Sequence, residues 1–181
     1  MEEGNRLIFY LAPLGEIPEW IFGYVGKVVI ENFDALIARL QSRPLTPKAY
    51  LPEKKSYDAN YLLDDLKFDA HIQDWNIIGM TTARLCDPDD GVFLDGLAIL
   101  GGPAVIIALP SDADEPTDEA RTIIRNIVLH ELGHFFGLVD RKCKKNCLMN
   151  DRAIITKVNL EYCNACQKRI QKIINVRTRR P

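Results

Sequence analysis

The chain has 181 residues, 47% of them hydrophobic and 27% charged, which suits one domain with a buried core and excludes disordered or fibrous classes. Its 23 basic and 25 acidic residues leave a formal charge of -2, so no global excess of charge points to nucleic acid or an acidic membrane surface. The acidic start "MEEGNRLIFYLAPL" lacks the basic region and cleavage site of a signal peptide, and no run reaches membrane-spanning length. A cytoplasmic chain is expected, so its five cysteines read as metal ligands or core residues rather than disulfides.

In chain order, the continuous apolar run Leu7 to Leu14 predicts a strand covered on both faces. Ile17, Trp20, Ile21, Tyr24, Val28 and Ile30 then recur at helical spacing. Ala35 to Leu45 reads as a second strand, "YDANYLLDDLKF" as a short helix, and Asn76 to Leu85 as a third strand. His71, in "FDAHIQDW", has no partner at ligand spacing and reads as a loop histidine. Two more short strands are expected near "VFLDGLAI" and at Ala104 to Leu109, separated by the turn-forming "GGP". Beyond the acidic loop "SDADEPTDEA" a long helix begins, with Pro116 and Thr117 in its first turn and Asp118 and Glu119 at its positive end. It carries Ile123, Ile127, Leu129, His130, Glu131, His134 and Phe135 and ends near Gly137. After a cysteine-rich loop, "TKVNLEYCNACQKRIQKIINV" predicts a final helix with a cysteine pair in its first turns.

No repeat or linker divides the chain. The expected fold is α/β (α+β): a single domain over 1–181 with a mixed twisted sheet, in which 1–137 form the sheet and helix part and 138–181 the C-terminal part. The basic end "QKRIQKIINVRTRRP" reads as a solvated helix face and terminus, with contact to RNA or a protein partner as the alternative.

His130 and His134 stand four apart, so on a helix both imidazoles face one ion, with Glu131 beside them. Catalytic zinc takes three protein ligands and leaves a position for water. Gly137 permits a sharp return of the chain, and three residues later the next candidate ligand is Asp140. Zinc accepts carboxylate oxygen, although the shorter side chain brings the backbone closer and its charge makes the water less acidic. The alternative is Asp140 as a surface or capping residue. Cys143 and Cys147, followed by Cys163 and Cys166, have the spacing of a structural zinc site that would staple the loop to the last helix. Four unliganded core thiols are the alternative. Cys86, alone, reads as a small buried hydrophobe.

These residues resemble the archaemetzincins, a branch of the metzincin zinc-peptidases. That family's pattern, H-E-x-x-H-x-x-G-x-x-H-C, continues with a second cysteine, a methionine two residues beyond it and a later C-x-x-C. His130, Glu131, His134, Gly137, the four paired cysteines and Met149 carry the likeness, which is specific over Arg121 to Cys166. Three positions depart from it. Asp140 replaces the third histidine, Arg141 occupies the first-cysteine position with Cys143 two residues late, and only 13 residues separate Met149 from Cys163.

The resemblance implies a metzincin-like fold with a long active-site helix, a C-terminal helix stapled by structural zinc, and Met149 in the hydrophobic turn beneath the catalytic metal. It implies catalytic zinc on His130, His134 and Asp140, Glu131 as general base of a zinc metallopeptidase that cleaves peptide bonds with activated water, and structural zinc on Cys143, Cys147, Cys163 and Cys166. Two zincs per chain are therefore expected. It also implies that an extended peptide pairs with a rim strand within Gly91 to Leu109, which leaves two strands to choose from. A monomer acting on peptide or protein substrates is expected, with no membrane or nucleic-acid partner. The competing reading is a catalytically weak or inactive zinc-stabilised module that keeps only the structural zinc and binds a protein or RNA partner.

Overall fold

The computed structural model describes residues 6–110, 116–140, 143, 146–150 and 158–178. Strand β1 (Ile8–Pro13) leads into helix α1 (Glu19–Phe33) and strand β2 (Leu36–Arg39). A 3-10 turn (Pro47–Ala49) precedes β3 (Tyr50–Leu51), β4 (Ser56–Asp58) and helix α2 (Ala59–Gln73). Strands β5 (Asn76–Thr81), β6 (Leu85–Cys86), β7 (Phe93–Leu94), β8 (Gly96–Ala98) and β9 (Ala104–Ala108) follow, then helices α3 (Asp118–Phe135) and α4 (Asn164–Thr178).

The main sheet runs β2-β1-β5-β9-β8. Its first four strands are parallel, and β8 joins the edge antiparallel to β9. Successive side chains of a strand point to opposite faces, and this divides the core in two. Phe9, Leu11, Ile78, Met80, Val105 and Ile107 pack with α1, α3 and α4. Ala12, Ile77, Ala104 and Ile106 pack with α2. Both faces of the central strands are covered, which is why they read as unbroken apolar runs. Helix α2 lies close over the sheet because Gly79 has no side chain: a Cβ there would sit 2.3 Å from a Leu66 methyl. Phe135 and Phe136 pin the end of α3 to the core, with ring centroids 5.1 Å (Phe9–Phe135) and 5.0 Å (Phe33–Phe136) apart. Such aromatic pairs contribute about 0.5–1.5 kcal/mol each beyond the area they bury.

Several elements differ from expectation. The second strand contracts to Leu36–Arg39. The stretch Asn76 to Leu85 divides into β5 and β6, and "VFLDGLAI" divides at Asp95 into β7 and β8, which belong to different sheets. The small sheet β3-β4-β6-β7 was not foreseen, since strands of two or three residues show no periodicity. Helix α2 runs five residues past Phe68, to Gln73, so His71 lies in its last turn and not in a loop. Ile30 lies on the exposed side of α1, while Phe22, Val25 and Val29 are buried. Thr117 caps α3 instead of entering its first turn, its hydroxyl accepting from the Ala120 amide at 3.1 Å. Helix α4 starts at Asn164, so Cys163 precedes it and Cys166 stands in its first turn. Residues 156–157 of the expected final helix, Arg141, the first half of the acidic loop (111–115) and the last three basic-tail residues lie outside the described residues.

Candidate active site

Helix α3 carries the histidines, and a side chain two turns before its end fixes where the following chain returns. Asn126 is fully buried; its amide donates to the Val158 carbonyl at 2.9 Å and its oxygen accepts from the Leu160 amide at 3.1 Å. Arg125 adds bonds to the Leu160 carbonyl at 2.7 Å and the Glu161 carboxylate at 2.6 Å. The stretch leading to α4 is thereby strapped along α3.

The end of α3 is closed by Gly137, whose φ of 73° is in the left-handed region that glycine enters without a Cβ penalty. The Leu138 amide donates to the Gly133 carbonyl at 2.9 Å and the Gly137 amide to the His134 carbonyl at 2.8 Å, the paired bonds of a Schellman turn. The turn brings the Leu138 carbonyl 2.8 Å from His134 Nδ1. In the same way His130 Nδ1 lies 2.8 Å from the Leu148 carbonyl. A carbonyl only accepts, so each Nδ1 carries its proton and each Nε2 presents a lone pair.

Those two Nε2 atoms are 3.0 Å apart. Asp140, beyond the turn, places one carboxylate oxygen 3.6 Å from His130 Nε2 and the other 3.6 Å from His134 Nε2. Ligands about an ion with tetrahedral bonds of ~2.05 Å stand about 3.3 Å from one another, close to these separations. Burial lowers the pKa of His130 and so favours its neutral, lone-pair form. The arrangement therefore fits a divalent cation with two nitrogen ligands and one oxygen ligand. Met149 lies under the same turn of α3: a Cβ on Gly133 would come 2.3 Å from its Sδ.

Glu131 is only 5% exposed and faces the edge strand β8. A Cβ on Gly96 would lie 2.6 Å from Glu131 Cγ, 2.7 Å from Cδ and 2.9 Å from Oε1, so the carboxylate occupies space that only glycine leaves free. Burial, followed by the charges of Asp140 and Asp95, lifts its pKa to about 8. Burial also raises the pKa of Asp95.

The four paired cysteines meet on the other side of the 146–149 segment. Their sulfurs all lie within 4.8 Å of one another. Cys166 Sγ is 3.6 Å from that of Cys163, 3.9 Å from Cys147 and 4.0 Å from Cys143. Tetrahedral zinc–sulfur bonds of ~2.3 Å set neighbouring sulfurs about 3.8 Å apart, so this cluster also fits a metal. The Cys166 amide brings the Cys163 thiol down to about 6, whereas burial raises that of Cys147. Cys86 is buried apart from the cluster, in β6. His71 is likewise outside both clusters.

Sequence reasoning missed the groups that orient the ligands. The Leu138 and Leu148 carbonyls are main-chain atoms and leave no residue signal. Gly96 sat inside a stretch read as strand, and Asn126 was passed over within the helix that carries the histidines.

Among the described residues, no helix is long and apolar enough to cross a membrane. A comparison with curated proteins gave no match. Solved structures do match. An archaemetzincin from Methanopyrus kandleri superposes with a TM-score of 0.77 at 24% identity, covering 96% of this chain and 98% of that one. An archaemetzincin from Archaeoglobus fulgidus gives 0.73 at 20% identity, over 90% and 99%. A zinc-dependent peptidase from Methanocorpusculum labreanum gives 0.72 at 18% identity, again over 90% and 99%. These likenesses establish the fold. The model of peptidase family M54 matches residues 39–172, a span that includes both clusters and favours a hydrolase over a binding module. The chain belongs to peptidase family M54, the archaemetzincin family of zinc metallopeptidases.

Proposed function

We propose that His130, His134 and Asp140 hold the zinc at which peptide bonds are hydrolysed, that Glu131 is the general base, and that Cys143, Cys147, Cys163 and Cys166 hold a second, structural zinc. The observation that carries the catalytic site is the convergence of two imidazole lone pairs, 3.0 Å apart, with a carboxylate oxygen 3.6 Å from each. Without a cation, electron-rich atoms so placed repel one another. Zinc bound there supplies a Lewis acid that polarises the scissile carbonyl and acidifies water.

The chain's own groups supply the rest. Glu131 takes a proton from the attacking water and returns it to the leaving amine, and the burial that lifts its pKa makes it a stronger base once ionised. The Leu138 and Leu148 carbonyls hold the imidazoles in the metal-binding tautomer. Met149 fills the space beneath the histidines and forms the hydrophobic turn.

The substrate rim is β8, the edge strand, rather than the interior strand β9. Asp95 and Ile99 bond toward β9 through the Ala108 amide at 2.8 Å and the Ala104 carbonyl at 3.0 Å. By the alternation of an antiparallel ladder, the main-chain groups of Gly96 and Ala98 point outward, where an extended peptide adds as a further strand. Gly96 puts that peptide beside Glu131. We take the chain to work as a monomeric single domain over 1–181 in the cytoplasm, a compartment suited to a cluster of unoxidised thiols.

Metal analysis and a peptide-library assay test this reading together. Two zincs per chain and cleavage are expected of the wild type, and Glu131→Gln should keep both metals while losing turnover. Unchanged turnover in that variant would refute the role of Glu131, and one zinc per chain would refute the two-site assignment.

A further inference from the structure

We propose that the cysteine cluster sets the metal affinity of the histidine site, with Leu148, through its carbonyl, and Tyr162, through its hydroxyl, as the positioning residues between them. The inference rests on the zinc assignments proposed above.

Three consecutive residues join the two centres. Cys147 belongs to the cluster, the Leu148 carbonyl fixes His130 Nδ1 at 2.8 Å, and Met149 packs under Gly133. Moving Cys147 by a fraction of an ångström therefore moves the group that holds the His130 ring, because one peptide unit separates them and peptide units are rigid.

A second connection runs beside the first. Cys147 forms a bridge with Glu161; the Leu148 amide donates to the Glu161 carbonyl at 3.0 Å, and the Cys163 amide to Cys147 Sγ at 3.4 Å. Between Glu161 and Cys163, Tyr162 is buried. Its hydroxyl donates to the carbonyl of Leu129, the residue before His130, and its ring edge would lie 3.3 Å from a Cβ on Gly133. The turn of α3 that carries His130 is thus gripped by residues 148, 149 and 162, and both gripping strands end in cysteines of the cluster. Closing the cluster around an ion fixes both strands at once; opening it frees both. Outer groups that orient a ligating histidine govern metal affinity by about ten- to a hundredfold, and coupling between two binding sites is reciprocal.

The test uses zinc-loaded protein dialysed against dipicolinate to strip the histidine site, then titrated with cobalt(II). Thiolate-to-cobalt charge transfer marks any cobalt entering the cluster; d–d bands without it report the histidine site. Cys166→Ser should weaken histidine-site affinity about ten- to a hundredfold. Tyr162→Phe, which keeps all four thiolates, should weaken it about tenfold with the cluster still filled and the circular dichroism unchanged. Should Cys166→Ser not fold, the Tyr162→Phe titration decides alone. Affinity equal to wild type in the folded variants overturns the coupling while leaving the zinc assignments standing. Wild-type protein that takes up no cobalt outside the cluster overturns both.

Discussion

Replacing Glu131 by Gln should reshape the stability of the protein as a function of pH when the histidine site is empty. The Glu131 carboxyl is buried, and its pKa is about 8 in the folded chain against an ordinary value of 4.5. An acid whose folded pKa is raised stabilises the fold in its protonated form. That contribution is complete below pH 4.5 and is lost as the pH rises through 8, because the unfolded chain ionises first. Between pH 4.5 and pH 7 the loss is the pH interval multiplied by 1.36 kcal/mol, about 3 kcal/mol. The carboxamide of Gln has nearly the same shape and does not titrate.

Urea unfolding of dipicolinate-treated wild type and Glu131→Gln, the cluster zinc retained in both, measures the difference. The variant's stability relative to wild type should climb by about 3 kcal/mol from pH 4.5 to pH 7, whatever constant offset the substitution brings. Parallel curves across that range would refute the buried, protonated carboxyl.

Further outcomes follow from the same geometry. Gly96→Ala sets a methyl 2.6 Å from Glu131 Cγ; with the general base displaced, kcat should fall about a hundredfold while zinc content, measured by mass spectrometry, stays at the wild-type value. Asp140→Ala should release the histidine-site zinc and keep the cluster zinc, halving the metal count; retention of both would show that Asp140 is not a ligand. Asp140→His, which supplies the imidazole of the family pattern, should bind zinc at least as tightly as wild type in a chelator competition.

The parts of the molecule legible in the sequence were those written by local spacing. The pair His130 and His134 requires only the four-residue period of a helix, and β1, β5 and β9 announce themselves because both their faces are covered. Asp140 was legible as a candidate because Gly137 signals the turn. The end of α2 was not, since Phe68 and Ile72 are 64% and 60% exposed and their apolar character gives no inward face to follow. The division of "VFLDGLAI" at Asp95 depends on which sheet each half joins, a long-range choice between β6 and β9 as partners. The groups that orient the histidines are carbonyls delivered by the fold, and no residue type encodes them.

Among the described residues nothing pairs with the outer edge of β8, and this bears on how the molecule behaves at high concentration. An open strand is a template on which identical chains can stack. Here it is three residues long and begins with glycine, which offers too short a ladder for lasting self-association. At the opposite margin, β2 ends in Arg39, tied to Glu19 at 2.7 Å, and a fixed charge there discourages a second copy from adding. Among the described residues the sheet thus leaves a brief opening at β8, sized for a visitor that departs and unsuited to polymer growth.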